Sequence, residues 1–240
     1  MAQNNLATTS FQQGDVTIAV SNSDFGGGHI GIGFHSVKSG AQVLHLAWHR
    51  QMRVEAIPQE LKTCWSYDVL SIPPLASKQV VSYVRVVASR LPAINYGTNF
   101  VASKGSFSQT GSYRPPKGSV GLTCASFVLE VLRGASLTLI NERSWPTEPV
   151  NGDWAELVCA ALKRSAADDG HIEAVRTSAN GLRLRPFELA GAASLTPAAW
   201  PAHFDAVQEP AKDVANQLAR ICQAPVAVVA VGIVEDPLVP

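Results

Sequence analysis

The sequence predicts an α+β fold: an antiparallel meander first, then helices. Two observations carry this. Short strand-like runs bounded by Gly, Ser, Asn and Pro crowd the first 72 residues, and the first long 3.6-residue periodicity begins only near Ser77. Strands and helices do not alternate as a doubly wound parallel sheet requires.

In chain order, residues 1–14 are polar and expected as a disordered tail. Asp15–Val20 has strand character, and Ser21–Gly28 is a Ser/Asn/Gly loop. His29–Phe34 (H-I-G-I-G-F) is a glycine-alternating strand, with Ala41–His49 as its hairpin partner across His35–Gly40. Gln51–Ile57 and Tyr67–Ile72 add two strands before Pro73-Pro74 ends the meander. Ser77 is expected to cap a helix to about Leu91, with Val80, Val81, Val84, Val87, Ala88 and Leu91 on one face. A Gly-, Ser- and Pro-rich segment to Gly118 holds Asn95-Tyr96.

In Val120–Leu132 the residues Phe127, Val128, Val131 and Leu132 form one face of a further helix, with Thr123 as N-cap and Gly134 as C′ residue. Beyond the Asn141–Asn151 loop, a helix runs from about Gly152 to Asp169, stopped by Gly170. A short strand near Ile172–Arg176, helices near Pro197–Val207 and Ala211–Cys222, and a last strand at Val226–Val234 complete the expectation. Residues 15–140 thus read as the core, and 141–240 as a mainly helical extension packed on it.

Composition narrows the function. With 46% hydrophobic residues, 16% charged and a net charge of zero, the 240-residue chain can bury a sizeable core and lacks the basic patch of a nucleic-acid binder. Aromatic residues, at 7%, are too few and dispersed to stack bases. Four cysteines show no C-x-x-C pair or metal-ligand spacing. Cys64, Cys159 and Cys222 read as small core residues. No signal peptide is visible at the N-terminus, and Ala224–Val234 is too short to span a bilayer. The expectation is therefore a cytoplasmic chain with free thiols and no transmembrane segment, although leaderless export is compatible with it. Nothing in the pattern calls for a cofactor or sets the oligomeric state.

Cys124 carries the chemical signal. In the first turn of its helix, unpaired N–H groups and the positive end of the macrodipole favour a thiolate. A cysteine so placed is a nucleophile if a histidine reaches it, and otherwise a buried structural residue.

The H-I-G-I-G-F strand followed by V-L-H-L resembles the histidine hairpin of NlpC-type papain-like cysteine peptidases, with V-L-H-L nearest the lecithin–retinol acyltransferase branch. In the ordinary arrangement the cysteine helix precedes this hairpin, whereas here Cys124 follows His29 by about 95 residues. That is the circularly permuted order of the acyltransferase branch and its bacterial relatives. Asn95-Tyr96 and Thr123-Cys124-Ala125-Ser126-Phe127 resemble the tyrosine loop and nucleophile-helix opening of those relatives, so the resemblance covers about residues 14–135. It implies a papain-like fold of permuted order, with the antiparallel sheet packed on the nucleophile helix. By position it makes Cys124 the nucleophile, His29 its base and His45 the residue that orients His29. Tyr96 and Thr123 become candidates for holding an oxyanion or substrate, with simple packing the alternative for Tyr96. The Cys124 backbone N–H is the safer oxyanion donor.

The two hairpin histidines are sixteen residues apart, about four more than the family's usual spacing. Two extra residues per strand absorb this without moving any side chain to the other face. His49 competes for the orienting role. If Lys38–Gly40 forms the loop, Val37 faces Ala41 and His29 lies opposite His49. Four histidines within twenty-one residues also invite a metal reading. Residues i and i+4 on one strand stand roughly 13 Å apart, so His45 and His49 cannot share an ion, and no metal is expected. The functional expectation is a thiol hydrolase of a peptide or isopeptide bond acting through an acyl–cysteine. A lipid acyl hydrolase or acyltransferase, and a papain-like binding module without turnover, are the alternatives.

Overall fold

The computed structural model describes residues 4–6, 11–23, 27–57, 64–146, 152–179 and 182–223. Its sheet has five main strands, β2 (Thr17–Ser21), β3 (His29–Ser36), β4 (Gly40–Trp48), β5 (Gln51–Ala56) and β6 (Trp65–Val69), with a two-residue β1 (Asn4–Asn5) at one edge. The order is β1-β6-β2-β3-β4-β5, antiparallel throughout. The opening residues were expected as a disordered tail. Those described instead pair with β6 and bury Leu6, 1% exposed, beside Phe11, Trp65 and Tyr67.

Strand alternation sorts the side chains. Ile18, Val20, Ile30, Ile32, Phe34, Leu44 and Leu46 enter the main core under the helices. Ala19, Val43, Trp65 and Tyr67 face the other way into a smaller cluster. Across the main core lie α1 (Pro74–Arg90), α2 (Cys124–Gly134) and α5 (Pro186–Ser194). The central helix is α2. Every residue from Cys124 to Leu132 is buried, so little of this helix is left to solvent. A capping box of Thr123 and Ser126 opens it: the Ser126 N–H donates to Thr123 Oγ1 at 3.1 Å and the Thr123 N–H to Ser126 Oγ at 2.8 Å. Glu130 is its one buried charge. It accepts from the N–H groups of Gly105 at 2.6 Å and Ser106 at 3.2 Å and pairs with Arg133, fastening the 101–106 turn to α2.

The helical expectations need adjustment in five places. Helix α1 starts at Pro74, where a missing N–H does no harm, and Ser77 lies within it, donating to Gly14 O at 2.6 Å. The segment Ile172–Arg176, expected as a strand, lies in α4 (Asp169–Ser178). The Asp168 carboxylate caps that helix and Ile172 and Val175 are buried at helical spacing, so Gly170 opens a helix where a stop was expected. Helix α3 (Gly152–Arg164) therefore ends earlier than expected. The segment Pro186–Ser194 was not anticipated, and α6 (Phe204–Gln223) continues through Pro210 where two helices were expected. The strand expected at residues 226–234 lies outside the described residues.

The cysteines bring a further correction. Cys64 and Cys222 are not free: a disulfide joins the start of β6 to the end of α6 over 158 residues of sequence. Such bonds persist in oxidising surroundings, and among the described residues no helix is long and apolar enough to cross a membrane. Cys159 is buried and free. Because the bond closes a long loop, replacing both cysteines with serine should lower unfolding stability by about 2–5 kcal/mol. Denaturant midpoints for the oxidised chain and the double variant check this, and equal midpoints would contradict it.

Candidate active site

The hairpin register brings His29 and His45 together. The turn is Val37-Lys38-Ser39, with Gly40 at φ +68° paired to Ser36 and His35 paired to Ala41. That is a shift of two residues from the register with Val37 opposite Ala41. It brings Gly31 level with His45, and a Cβ on Gly31 would lie 3.1 Å from that of His45. The bare glycine leaves the space in which His45 leans toward His29, two residues along the same strand face. Their rings meet edge to face, 5.0 Å between centroids, with His29 Nε2 2.7 Å from His45 Nδ1. Trp65 stands edge-on to both, at 5.4 Å and 5.5 Å. Gly28 fixes the approach to His29. Its φ is +85°, and any Cβ would strike the Phe187 ring at 2.7 Å.

The ladder between β3 and β4 ends at Ile32↔Leu44. Beside this end lies the N-terminus of α2, with the Cys124 thiol against the backbone N–H groups of Ile30, Ala125 and Cys124 itself. Cys124 and His29 line one cleft of about 430 Å³, together with His45, Glu55, Tyr96, Thr123, Arg183 and other residues.

Glu55 was missed in the sequence. Its Oε1 lies 3.4 Å from His45 Nε2, long for a hydrogen bond but close enough for charge to act. The His45 contact holds the Glu55 carboxyl below the usual range. Glu55 follows an ordinary strand pattern on β5, and only the pairing of His45 with Arg53 brings it near the histidine. The charge sets the tautomers. A carboxylate beside His45 Nε2 favours the proton there, so His45 Nδ1 accepts from the His29 Nε2–H. His29 Nδ1 is then left with a bare lone pair.

Electrostatics correct one expectation. The helix N-terminus was to favour a Cys124 thiolate, but burial dominates and pushes the thiol up to about 11, against the lowering by the surrounding N–H groups. His29 is held down at about 3, first by burial and then by His45, with Glu55 opposing. At neutral pH the pair is therefore thiol and neutral imidazole.

The remaining candidates take other places. Thr123 borders the cleft, yet its hydroxyl serves the helix cap. The Tyr96 ring lies against Trp48, 4.6 Å between centroids, and burial keeps its phenol protonated, so it can donate a hydrogen bond. His49 turns away from His29. It accepts the Tyr96 N–H at 3.2 Å on Nδ1, while His171 Nε2 sits 3.0 Å from Tyr96 O. His49 thus supports the tyrosine loop. Among the described residues no group of His, Cys, Asp and Glu is arranged to hold a metal ion. Compared with known proteins, the chain matches no family model, no curated protein and no solved structure.

Two measurements test these electrostatics. Cys124 should alkylate slowly at pH 7 and faster through the alkaline range as its thiol titrates toward about 11; a rate already level at neutral pH would contradict the buried thiol. His29 stays neutral in the fold down to about 3 but protonates near 6.5 when unfolded, so unfolding takes up a proton between those values. Stability should fall as pH drops below about 6.5, and His29→Gln should flatten that fall in thermal melts from pH 7 to 4. Parallel curves for the two proteins would refute the assignment.

Proposed function

We propose that this chain is a cysteine hydrolase of the permuted papain-like type, cleaving a peptide or isopeptide amide through an acyl–cysteine intermediate. One observation carries the reading. The Cys124 thiol shares a cleft with His29, which meets His45 at 2.7 Å, with the Glu55 carboxylate beyond His45.

Since thiol and imidazole are both neutral at rest, attack and proton transfer proceed together. The Cys124 sulfur adds to the carbonyl carbon while its proton passes to His29 Nδ1, the nitrogen not engaged with His45. The growing imidazolium is stabilised through His45 by the Glu55 carboxylate, which stays ionised. The oxyanion is met by the Cys124 N–H, which has no intrahelical partner in this first turn, and by the protonated Tyr96 hydroxyl. Collapse expels the amine, which takes the proton from His29, and leaves a thioester. His29 then deprotonates a water that attacks the thioester, and the sulfur departs with the proton returned. The cleft mixes Trp48, Trp65, Trp154 and Leu184 with Ser21, Asn22, Arg53, Glu55 and Arg183, and its charged groups support an amide in a polar chain. The Cys64–Cys222 bond supports work in an oxidising compartment, where burial shields Cys124 from oxidation.

Cys124→Ala should abolish turnover and thiol-probe labelling while the fold persists. His29→Ala should lower kcat/KM by roughly two to four orders of magnitude. His45→Ala should impair the enzyme less, His45→Gln less again because its amide oxygen still accepts from His29, and His49→Ala should act only through the Tyr96 loop. Kinetics of these variants on peptide and isopeptide substrates check the ranking. Turnover by Cys124→Ala, or greater damage from His49→Ala than from His45→Ala, would overturn the assignment.

A further inference from the structure

Arg183 is the cationic group in the cleft that the proposed chemistry leaves unused. It lies in the segment between α4 and α5, outside the part of the chain that resembles a known family. Its guanidinium packs over the Trp154 ring from α3, with Cζ 3.6 Å from the ring centroid. Both residues border the cleft that holds Cys124 and His29. A Cβ at Gly27 would lie 3.6 Å from Arg183 Nη2, so the guanidinium reaches the loop that leads into His29.

Stacking covers one face of the guanidinium and leaves its N–H edge to point elsewhere. Among the described residues, Arg183 forms no ion pair. The nearby carboxylate, Glu188, is engaged by Arg185 Nη1 at 3.3 Å, the Arg185 N–H at 2.9 Å and Trp145 Nε1 at 3.2 Å. The other arginine of the cleft, Arg53, has Glu55 at 3.8 Å. Burial draws the Arg183 guanidinium down to about 10, so it stays charged at neutral pH. A half-buried, stacked cation that no carboxylate among the described residues pairs with is suited to an anion brought by a ligand.

We propose that Arg183, held on Trp154, binds a carboxylate of the substrate, so that the preferred substrate is an acidic peptide with that carboxylate close to the scissile amide. This rests on the amide-hydrolase reading above. The carboxylate is either an Asp or Glu side chain or a free α-carboxylate. A charge-assisted contact of this kind favours the acid over its amide by roughly ten- to a hundredfold.

Two assays separate this proposal from the reading beneath it. The first needs no substrate. Iodoacetate and iodoacetamide have similar size and differ in charge, and their rates at Cys124 are read by peptide mass spectrometry against N-acetylcysteine. The iodoacetate-to-iodoacetamide ratio should exceed that of the free thiol several-fold, fall to it in Arg183→Gln and be partly kept in Arg183→Lys. The second assay compares kcat/KM for peptide pairs differing as Glu against Gln or Asp against Asn beside the cleaved bond, and for free against amidated C-termini. The acid member should be favoured, chiefly through KM, with the preference collapsing to about one in Arg183→Gln. The pair that responds names the source of the carboxylate. Biased alkylation with no peptide cleavage would support the subsite and remove the amide-hydrolase reading. Cleavage indifferent to every acid–amide pair, or an equal alkylation bias in wild type and Arg183→Gln, would overturn the proposal.

Discussion

The cleft depends on one constraint: the N-terminus of α2 is buried beside the start of β3. The Thr123–Ser126 capping box satisfies two of the backbone groups that a helix start exposes. The N–H groups of Cys124 and Ala125 are left to face the thiol, joined by that of Ile30. An almost wholly buried helix has little freedom to turn, so the sulfur is fixed relative to the strand that carries His29. Shifting α2 would move Phe127, Val128 and Leu132 within a close-packed core, which makes the position of the sulfur a consequence of core packing.

The same burial sets the chemistry. It suppresses both charges of a thiolate–imidazolium pair and leaves neutral partners, at rest, in a site that substrate must enter. The His45–Glu55 pair answers part of this penalty. Glu55 stays ionised, with its side chain 22% exposed, and acts on His29 across the buried ring of His45. Charge is thus kept where water reaches it, and the reacting groups acquire theirs only as bonds change. Arg53 lies on the solvent side of Glu55 and tempers its field.

Much of this was legible in the chain. Strand alternation and the Pro73-Pro74 stop located the meander, the apolar spacing in Val120–Leu132 located α2, and the resemblance of H-I-G-I-G-F and V-L-H-L to a histidine hairpin singled out His29 and His45. Three things were not legible, for physical reasons. Register depends on where a hairpin turns, and moving the loop by one residue changed which histidine His29 meets. Glu55 shows no local signature because its role arises across β4 and β5. Arg183, Trp154 and the Cys64–Cys222 bond join segments far apart in sequence, which no local pattern reports. The Ile172–Arg176 misreading was local: two apolar residues at i and i+3 are too short a run to separate strand from helix without the Asp168 cap.

The central claim is that Cys124 carries the acyl group between the two halves of the reaction. It is tested most directly by mixing the oxidised chain with peptide amides, isopeptide conjugates and phospholipids, quenching in acid within milliseconds to seconds, and weighing the intact protein. The predicted result is an added mass equal to the acyl portion of an amide substrate, labile to hydroxylamine and mapped to Cys124. Acylation only from phospholipid, acylation at another residue, or product formed by a Cys124→Ala chain at the wild-type rate would contradict it.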